Sequence, residues 1–302
     1  METAFGFCDL CINAEIVNKN TLHKVLDKLY EMGYSTVAIN RTIEETVFES
    51  EKKNKKKAGD NEAPGVTVPS PPDIADLISE YAGKLRILNR LTFVFGDPTR
   101  THTLNQSSSL RKYDLYAVVP KTQAAFQFAC SQLNTDIVLL NRNCVGLKLS
   151  RKLYLQAVER GINFEIQYCD VISSASRKFA IHYSHLFHMF GKSKNIFISS
   201  GASIETQIRS PYDIINLASI LGMNETKAKA SILSQSRYVI LRAEGRRYGK
   251  AVFRIQTCST EKREMESEME IEAEETDDEH GDTCTEAKKI KLWSVGKVIC
   301  EK

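Results

Sequence analysis

No stretch of the chain approaches the roughly 18 consecutive apolar residues that a membrane-spanning helix needs, which argues against such a helix. The N-terminal segment METAFGFCDL has no basic region and carries two acidic residues, so a secretory signal is not expected. The eight cysteines are scattered through 302 residues without a framework of spacings. They read as reduced thiols of a cytosolic or nuclear protein. No strand-like run leads into a Gly-rich dinucleotide loop. No loop gathers a matched His/Asp/Glu set that would hold a metal or move a proton. What is present is enough to build a core: 42% of residues are apolar and 8% aromatic, which excludes whole-chain disorder.

Charge is unevenly spread. The formal net charge is +3, yet residues 259–287 hold thirteen acidic residues against Lys262 and Arg263, a net of −11. Residues 288–302 carry a net of +4, which leaves +10 on residues 1–258. A basic body of this kind is the electrostatic footprint of a polyanion binder. The tail at 259–302 is polar and has few large apolar residues before Trp293, so it is expected to be disordered.

Apolar runs at 4–10, 36–39, 91–95, 115–119, 137–140, 164–166 and 196–198 read as strands buried on both faces, with a possible eighth at 238–241. Amphipathic helices lie between them. Leu22, Val25, Leu26 and Leu29 form one helical stripe that ends at Gly33. Thr122, Ser150, Ser210 followed by Pro211, and Asn224 are placed as helix caps. Repeated β-α alternation over about 240 residues, without a dinucleotide loop, predicts a closed barrel of seven to eight parallel strands over residues 1–258. Residues 49–72, rich in Lys and Pro, read as a mobile insertion.

Several motifs are weaker than they look. Cys8 and Cys11 form a C-x-x-C on a strand, where residues three apart point to opposite faces, and no second pair completes a zinc site. His182, His185 and His188 fan over the surface of a predicted helix and read as partly buried packing groups. The segment from Gly245 to Lys250 lacks the spacing of a phosphate loop, and Ala251 stands where a magnesium-binding Ser or Thr belongs. Its basic residues remain compatible with a phosphate contact. Loops after the predicted strands carry Arg41, Arg100, Lys121, Arg142, Arg177, Lys178 and Arg209, a face that attracts phosphates. The runs at 52–57 and 288–291 suit nuclear import or nucleic-acid contact.

Several contiguous blocks stand out: Val37-Ala38-Ile39-Asn40, the run from Ile87 to Thr92 with Asp97-Pro98, and Val118-Val119-Pro120-Lys121. They continue through Phe164-Glu165 with Tyr168, Arg177-Lys178, Ile198-Ser199-Ser200-Gly201-Ala202 and the run from Ile208 to Leu217. Together these blocks resemble the TIM-barrel protein subunit of ribonuclease P, a family that animals share between ribonuclease P and ribonuclease MRP. The resemblance implies a TIM-like barrel similar to the polymerase and histidinol phosphatase type of metallophosphoesterase. Those enzymes carry an H-x-H metal pair where this chain has Asp9-Leu10-Cys11, so no metal site and no catalytic residue are expected. The resemblance further implies a non-catalytic subunit of the particle that removes the 5′ leader of precursor tRNA, with rRNA processing through ribonuclease MRP. The partners would be the ribonuclease P and MRP RNAs, a small RRM-like subunit and other protein subunits, with no membrane. Magnesium would belong to the RNA and no cofactor to the chain. Arg90, Lys121, Arg177, Lys178 and Arg209 are the expected RNA contacts. Lys288, Lys289 and Lys291 are the expected import signal to the nucleus and nucleolus. A degenerate phosphoesterase and a protein-only scaffold remain as other classes.

Overall fold

The computed structural model of the chain describes residues 6–13, 19–45, 68–99, 101, 108–144 and 146–249. Within them seven strands form one sheet in chain order: β1 (Phe7–Ile12), β2 (Tyr34–Glu44), β3 (Arg86–Phe95), β4 (Leu115–Pro120), β5 (Ile137–Leu139), β6 (Asn163–Gln167) and β7 (Ile196–Ser199). All neighbouring pairs are parallel. The sheet curls until its ends meet. Ile12 bridges Ala202, the Gly201 N–H donates to the Cys11 carbonyl at 2.9 Å, and the Asn13 N–H donates to the Ala202 carbonyl at 2.7 Å. The result is a nearly closed TIM-like barrel, as the sequence predicts. Its strands are mostly apolar because both faces are covered; all six residues of β4 are buried.

The helices are α1 (Lys19–Glu31), α2 (Ala75–Glu80), α3 (Gln123–Ser131), α4 (Arg151–Glu159), α5 (Tyr168–Ile172), α6 (Arg177–Gly191), α7 (Pro211–Ile220), α8 (Glu225–Ile232) and α9 (Ser234–Tyr248). Four expected caps are in place: the side chains of Thr122, Ser150, Ser210 and Asn224 accept from the N–H groups of Ala125, Leu153, Asp213 and Lys227. Each satisfies one of the free donors of a helix start.

Two expectations are corrected. Residues 238–241 are not an eighth strand but part of α9. A run of four apolar residues does not by itself separate strand from helix. Here Val239, Ile240 and Ala243 turn inward and pack with Leu10, Ala38, Leu88, Leu115, Ala117, Ile137 and Phe197. A helix thus closes one end of the barrel. The expected insertion at 49–72 also ends sooner than its composition suggests. Val68 is fully buried, and the carbonyls of Pro69 and Ser70 accept from the Tyr113 hydroxyl (3.0 Å) and the Arg41 guanidinium (3.1 Å). Residues 46–67 and the tail at 259–302 lie outside the described residues.

One glycine carries a sharp steric prediction. A Cβ on Gly191 would sit 2.1 Å from Cε1 of Tyr154. That ring is fully buried, stacks on Phe164 and Phe187 at 5.2 and 5.8 Å, and its hydroxyl is held by the Lys194 carbonyl. Gly→Ala in a helix ordinarily stabilises by about 0.5–1 kcal/mol. Here overpacking reverses the sign, and Gly191→Ala should destabilise by about 1–3 kcal/mol. A melting temperature at or above that of the wild type would show that the Tyr154 ring has room to move.

Candidate nucleic-acid interface

Strand alternation puts Leu88, Arg90 and Thr92 on the lumen side of β3. Arg90 is the largest fully buried side chain of the barrel. Its guanidinium makes a two-pronged ion pair with Glu165 of β6, with Nη1 to Oε1 at 2.6 Å. Nη1 also donates to the Leu10 carbonyl (2.8 Å) and Nε to the Thr92 hydroxyl (3.2 Å). Ser199 donates to Glu165 at 2.5 Å. The network continues from Thr92 to Asn40 (2.6 Å), from Asn40 to Asn13 (2.7 Å) and from Asn13 to the Gly201 carbonyl (3.0 Å). The lumen is therefore plugged by a hydrogen-bonded polar cluster around one buried ion pair.

Asp9 and Cys11 lie beside this plug. Asp9 is buried, and its Oδ1 accepts from the N–H groups of Ser200 (2.9 Å) and Cys11 (3.3 Å). Its Oδ2 has no partner. Burial pushes its carboxyl up to about 6, against those hydrogen bonds and with a further push from Glu165. The Cys11 thiol takes a hydrogen bond from Gln167 at 3.3 Å, and burial pushes its pKa well above the ordinary thiol range, making it a weaker acid. Cys8 packs with the apolar cluster under α9, and both thiols are free. Among the described residues, no three His, Cys, Asp or Glu side chains converge as a metal site would require.

Arg90 must be withdrawn as an RNA contact. A guanidinium sealed in the lumen and neutralised by Glu165 cannot reach a phosphate. The other four expected contacts are exposed. Lys121 follows β4 and pairs with Glu44 at 3.3 Å, both half in solvent, an arrangement of little energetic weight. Arg177 and Lys178 open α6; the Arg177 guanidinium also donates to the carbonyls of Val171 and Ile172. Arg209 follows β7, donates to the carbonyls of Thr206 and Ile208, and its own carbonyl accepts from Tyr34. Loops after β4, β5 and β6 are neighbours in the ring, so Lys121, Arg142, Arg177 and Lys178 lie along one stretch of the rim. Lys288, Lys289, Lys291, Arg100 and the run at 52–57 fall outside the described residues.

The basic residues near the end of α9 are also reassigned. Arg246 pairs with the buried Asp136 at 2.9 Å, and Arg247 pairs with Asp114. Arg242 donates to the carbonyls of Arg160 (2.7 Å) and Thr135 (3.3 Å). These arginines clamp the helical plug to the strand-entry turns rather than waiting for phosphate. Gly161 shows how tight that seam is: its φ is +73°, and a Cβ there would lie 2.6 Å from Nη1 of Arg242. The three histidines of α6 are exposed rather than packed, and His185 sits 3.2 Å from the Ile220 carbonyl.

A model of the family described as RNase P subunit p30 matches residues 6–248, the whole barrel with its plug. The chain belongs to the RNase P subunit p30 family. It is 31% identical over 293 residues to the ribonuclease P protein subunit p30 of Mus musculus, covering 94% of this chain and 98% of that protein. It is 23% identical over 227 residues to the ribonuclease P/MRP protein subunit RPP1 of Saccharomyces cerevisiae, covering 74% and 72%. Its fold is similar to a chain in an archaeal ribonuclease P solved with mature tRNA, with a TM-score of 0.57 at 13% identity over 84% of this chain and 99% of that one.

The family blocks that drew attention to Arg90 belong to its core. The strand expected at 91–95 begins just after Arg90, and only the longer strand Arg86–Phe95 places that side chain inside the core. Arg90 stands inside a strand buried on both faces, and Glu165 does the same in Asn163–Gln167. Opposite charges in such positions are expected to pair.

Proposed function

We propose that this chain acts as a non-catalytic, RNA-binding subunit of ribonuclease P, and through ribonuclease MRP also in rRNA processing. The observation that carries the reading is the contrast between rim and lumen. Exposed cations line the rim, while the lumen beneath is filled by the Arg90–Glu165 pair and its hydrogen bonds. A fixed guanidinium there repels a metal cation, and the Asp9 carboxylate is turned onto backbone N–H groups. The barrel then contributes binding, holding the fold of the catalytic RNA and contacting a small RRM-like subunit and other proteins of the particle. The magnesium ions and the cleavage of the 5′ leader belong to the RNA. The chain works in the nucleus and nucleolus, with Lys288, Lys289 and Lys291 as its address. Basic groups supply such binding because phosphate neutralisation releases counterions, an effect that weakens steeply with salt.

The test is cleavage by the purified full chain without RNA. Precursor tRNA should stay intact with magnesium or manganese, and adding ribonuclease P RNA with the remaining subunits should restore leader removal. Cleavage by the RNA-free chain, abolished by changing Asp9, would overturn the reading in favour of a degenerate phosphoesterase. Assembly that ignores salt and survives RNA removal would favour a protein-only scaffold.

A further inference from the structure

The cations at the surface of the barrel, exposed or partly so, are not all alike in their surroundings. Lys28, Arg86, Lys121 and Arg247 each have a carboxylate partner. Others, among them Lys24, Lys84 and Lys229, are exposed with no ion pair among the described residues, and six of this kind, Arg142, Lys148, Arg151, Lys152, Arg177 and Lys178, are distinguished by being gathered together. They come from three chain segments that meet at one corner: the turn Arg142–Cys144 after β5, the start of α4, and the start of α6. The Tyr183 hydroxyl of α6 donates to the Cys144 carbonyl at 2.9 Å and ties the turn to that helix. Lys148 is fixed by reciprocal hydrogen bonds with Gln123, at 2.8 and 3.1 Å. No acidic residue occurs between Ile137 and Val158. Asp170, the carboxyl facing Arg142, is half-buried; burial raises its pKa, and Ser176 and Arg142 oppose that rise.

The corner is also arranged against helix stability. Both helices begin with the same tripeptide, Ser150-Arg151-Lys152 and Ser176-Arg177-Lys178, and neither has an acidic residue in its first turn. Cations in that turn are repelled by the helix dipole, and carboxylates are the residues that favour it. Two neighbouring helices that both forgo the stabilising charge and present a basic pair instead form a surface whose electrostatics are satisfied by an anion from outside. Further round the rim the charges are mixed, with Glu44 and Glu45 at the end of β2 and Asp97 after β3 beside Arg41 and Lys121.

We propose that this corner is the face on which the barrel holds the phosphodiester backbone of structured RNA, with Lys148, Arg151 and Lys152 as contacts alongside Arg142, Arg177 and Lys178. This rests on the RNA-binding reading above and adds the face. Lysines serve as point charges there, and the arginines offer forked donors to phosphate oxygens. Backbone contacts of this kind position the RNA without reading its sequence.

The test compares three full-length proteins binding a ribonuclease P RNA transcript across a salt series: wild type, a corner variant (Lys148→Ala, Arg151→Ala, Lys152→Ala) and a control with the same charge change elsewhere (Lys24→Ala, Lys84→Ala, Lys229→Ala). The corner variant should lose about two to three units of salt slope, since each phosphate contact contributes about 0.7–0.9. Its melting temperature should not fall, because Arg151 and Lys152 leave a helix start that repels them and the hydrogen bonds of Lys148 with Gln123 are made by its backbone. The control should keep most of its slope. Equal losses in corner and control variants would show that total charge rather than this face binds, and the proposal would fail. A corner variant indistinguishable from a wild type that does bind would remove the face and leave the RNA-binding reading standing. A wild type with no salt-dependent binding would remove both.

Discussion

Glu165→Gln should lower stability by about 3–5 kcal/mol, because it leaves the Arg90 guanidinium charged, buried and uncompensated. Arg90 has no route to solvent and cannot shed its proton at any accessible pH. The neutral amide still offers one acceptor, but the second prong of the pair and the acceptor of Ser199 or Arg90 become a mismatch of donors. For a barrel of this size the loss corresponds to a drop in melting temperature of roughly 10 °C or more. The partner experiment is the double variant Arg90→Met with Glu165→Leu, which removes both charges and keeps much of the volume. It should cost far less than the two single changes added together, since the penalty of a broken buried pair comes from the charge left behind. Denaturant unfolding of the four proteins measures the cycle. Additive losses would mean that the two side chains do not share one dry site. The double variant, if folded, should also bind RNA with the salt slope of the wild type, which checks that Arg90 serves the core and not the interface.

The second large effect is a pH dependence at Asp9. Its pKa rises from an unfolded value near 3.8 to about 6 because the carboxyl is buried, with Oδ2 unpartnered. A group whose folded pKa is raised stabilises the fold fully below the unfolded pKa and loses that contribution as pH rises through the folded one. The window is therefore about pH 4 to 6, and the total is about 3 kcal/mol at 1.36 kcal/mol per unit. Asp9→Asn keeps an oxygen for the N–H groups of Ser200 and Cys11 and removes the charge. Its other end becomes a donor in a region shared with the buried phenols of Tyr34 and Tyr168, which burial and then Asp9 itself push up. The variant should be more stable than wild type at pH 7.5, by up to about 3 kcal/mol, and the difference should shrink towards zero near pH 4. Stability measured from pH 4 to 8 on both proteins tests this. A difference independent of pH would show that Asp9 does not titrate in this window.

These two residues also show where sequence reading stops. Asp9 was legible, through the family resemblance, as standing where the related metallophosphoesterases carry an H-x-H pair. That its carboxylate turns onto Ser200, 191 residues away, was not. Arg90 was legible as a basic residue in a family block. Its partner lies 75 residues on, in another strand, and only closure of the ring brings the two together. Lys148, Arg151 and Lys152 stood in plain view as ordinary basic residues. They become a surface only once β5 and β6 stand side by side and α4 and α6 start at the same corner.

The sequence by itself determined the β-α alternation, a barrel of seven to eight strands and four helix caps, because local periodicity and side-chain chemistry act within a few residues. The family was legible for the same reason, in contiguous blocks. The tertiary structure alone decided that 238–241 is helix, that the arginines of α9 are clamps, and which charges face water. An apolar run of four residues satisfies either geometry, and a barrel of seven strands leaves one end to be covered, which α9 does. Burial turns a charge from a binding group into a structural one, and burial is a property of the closed ring rather than of any segment in it.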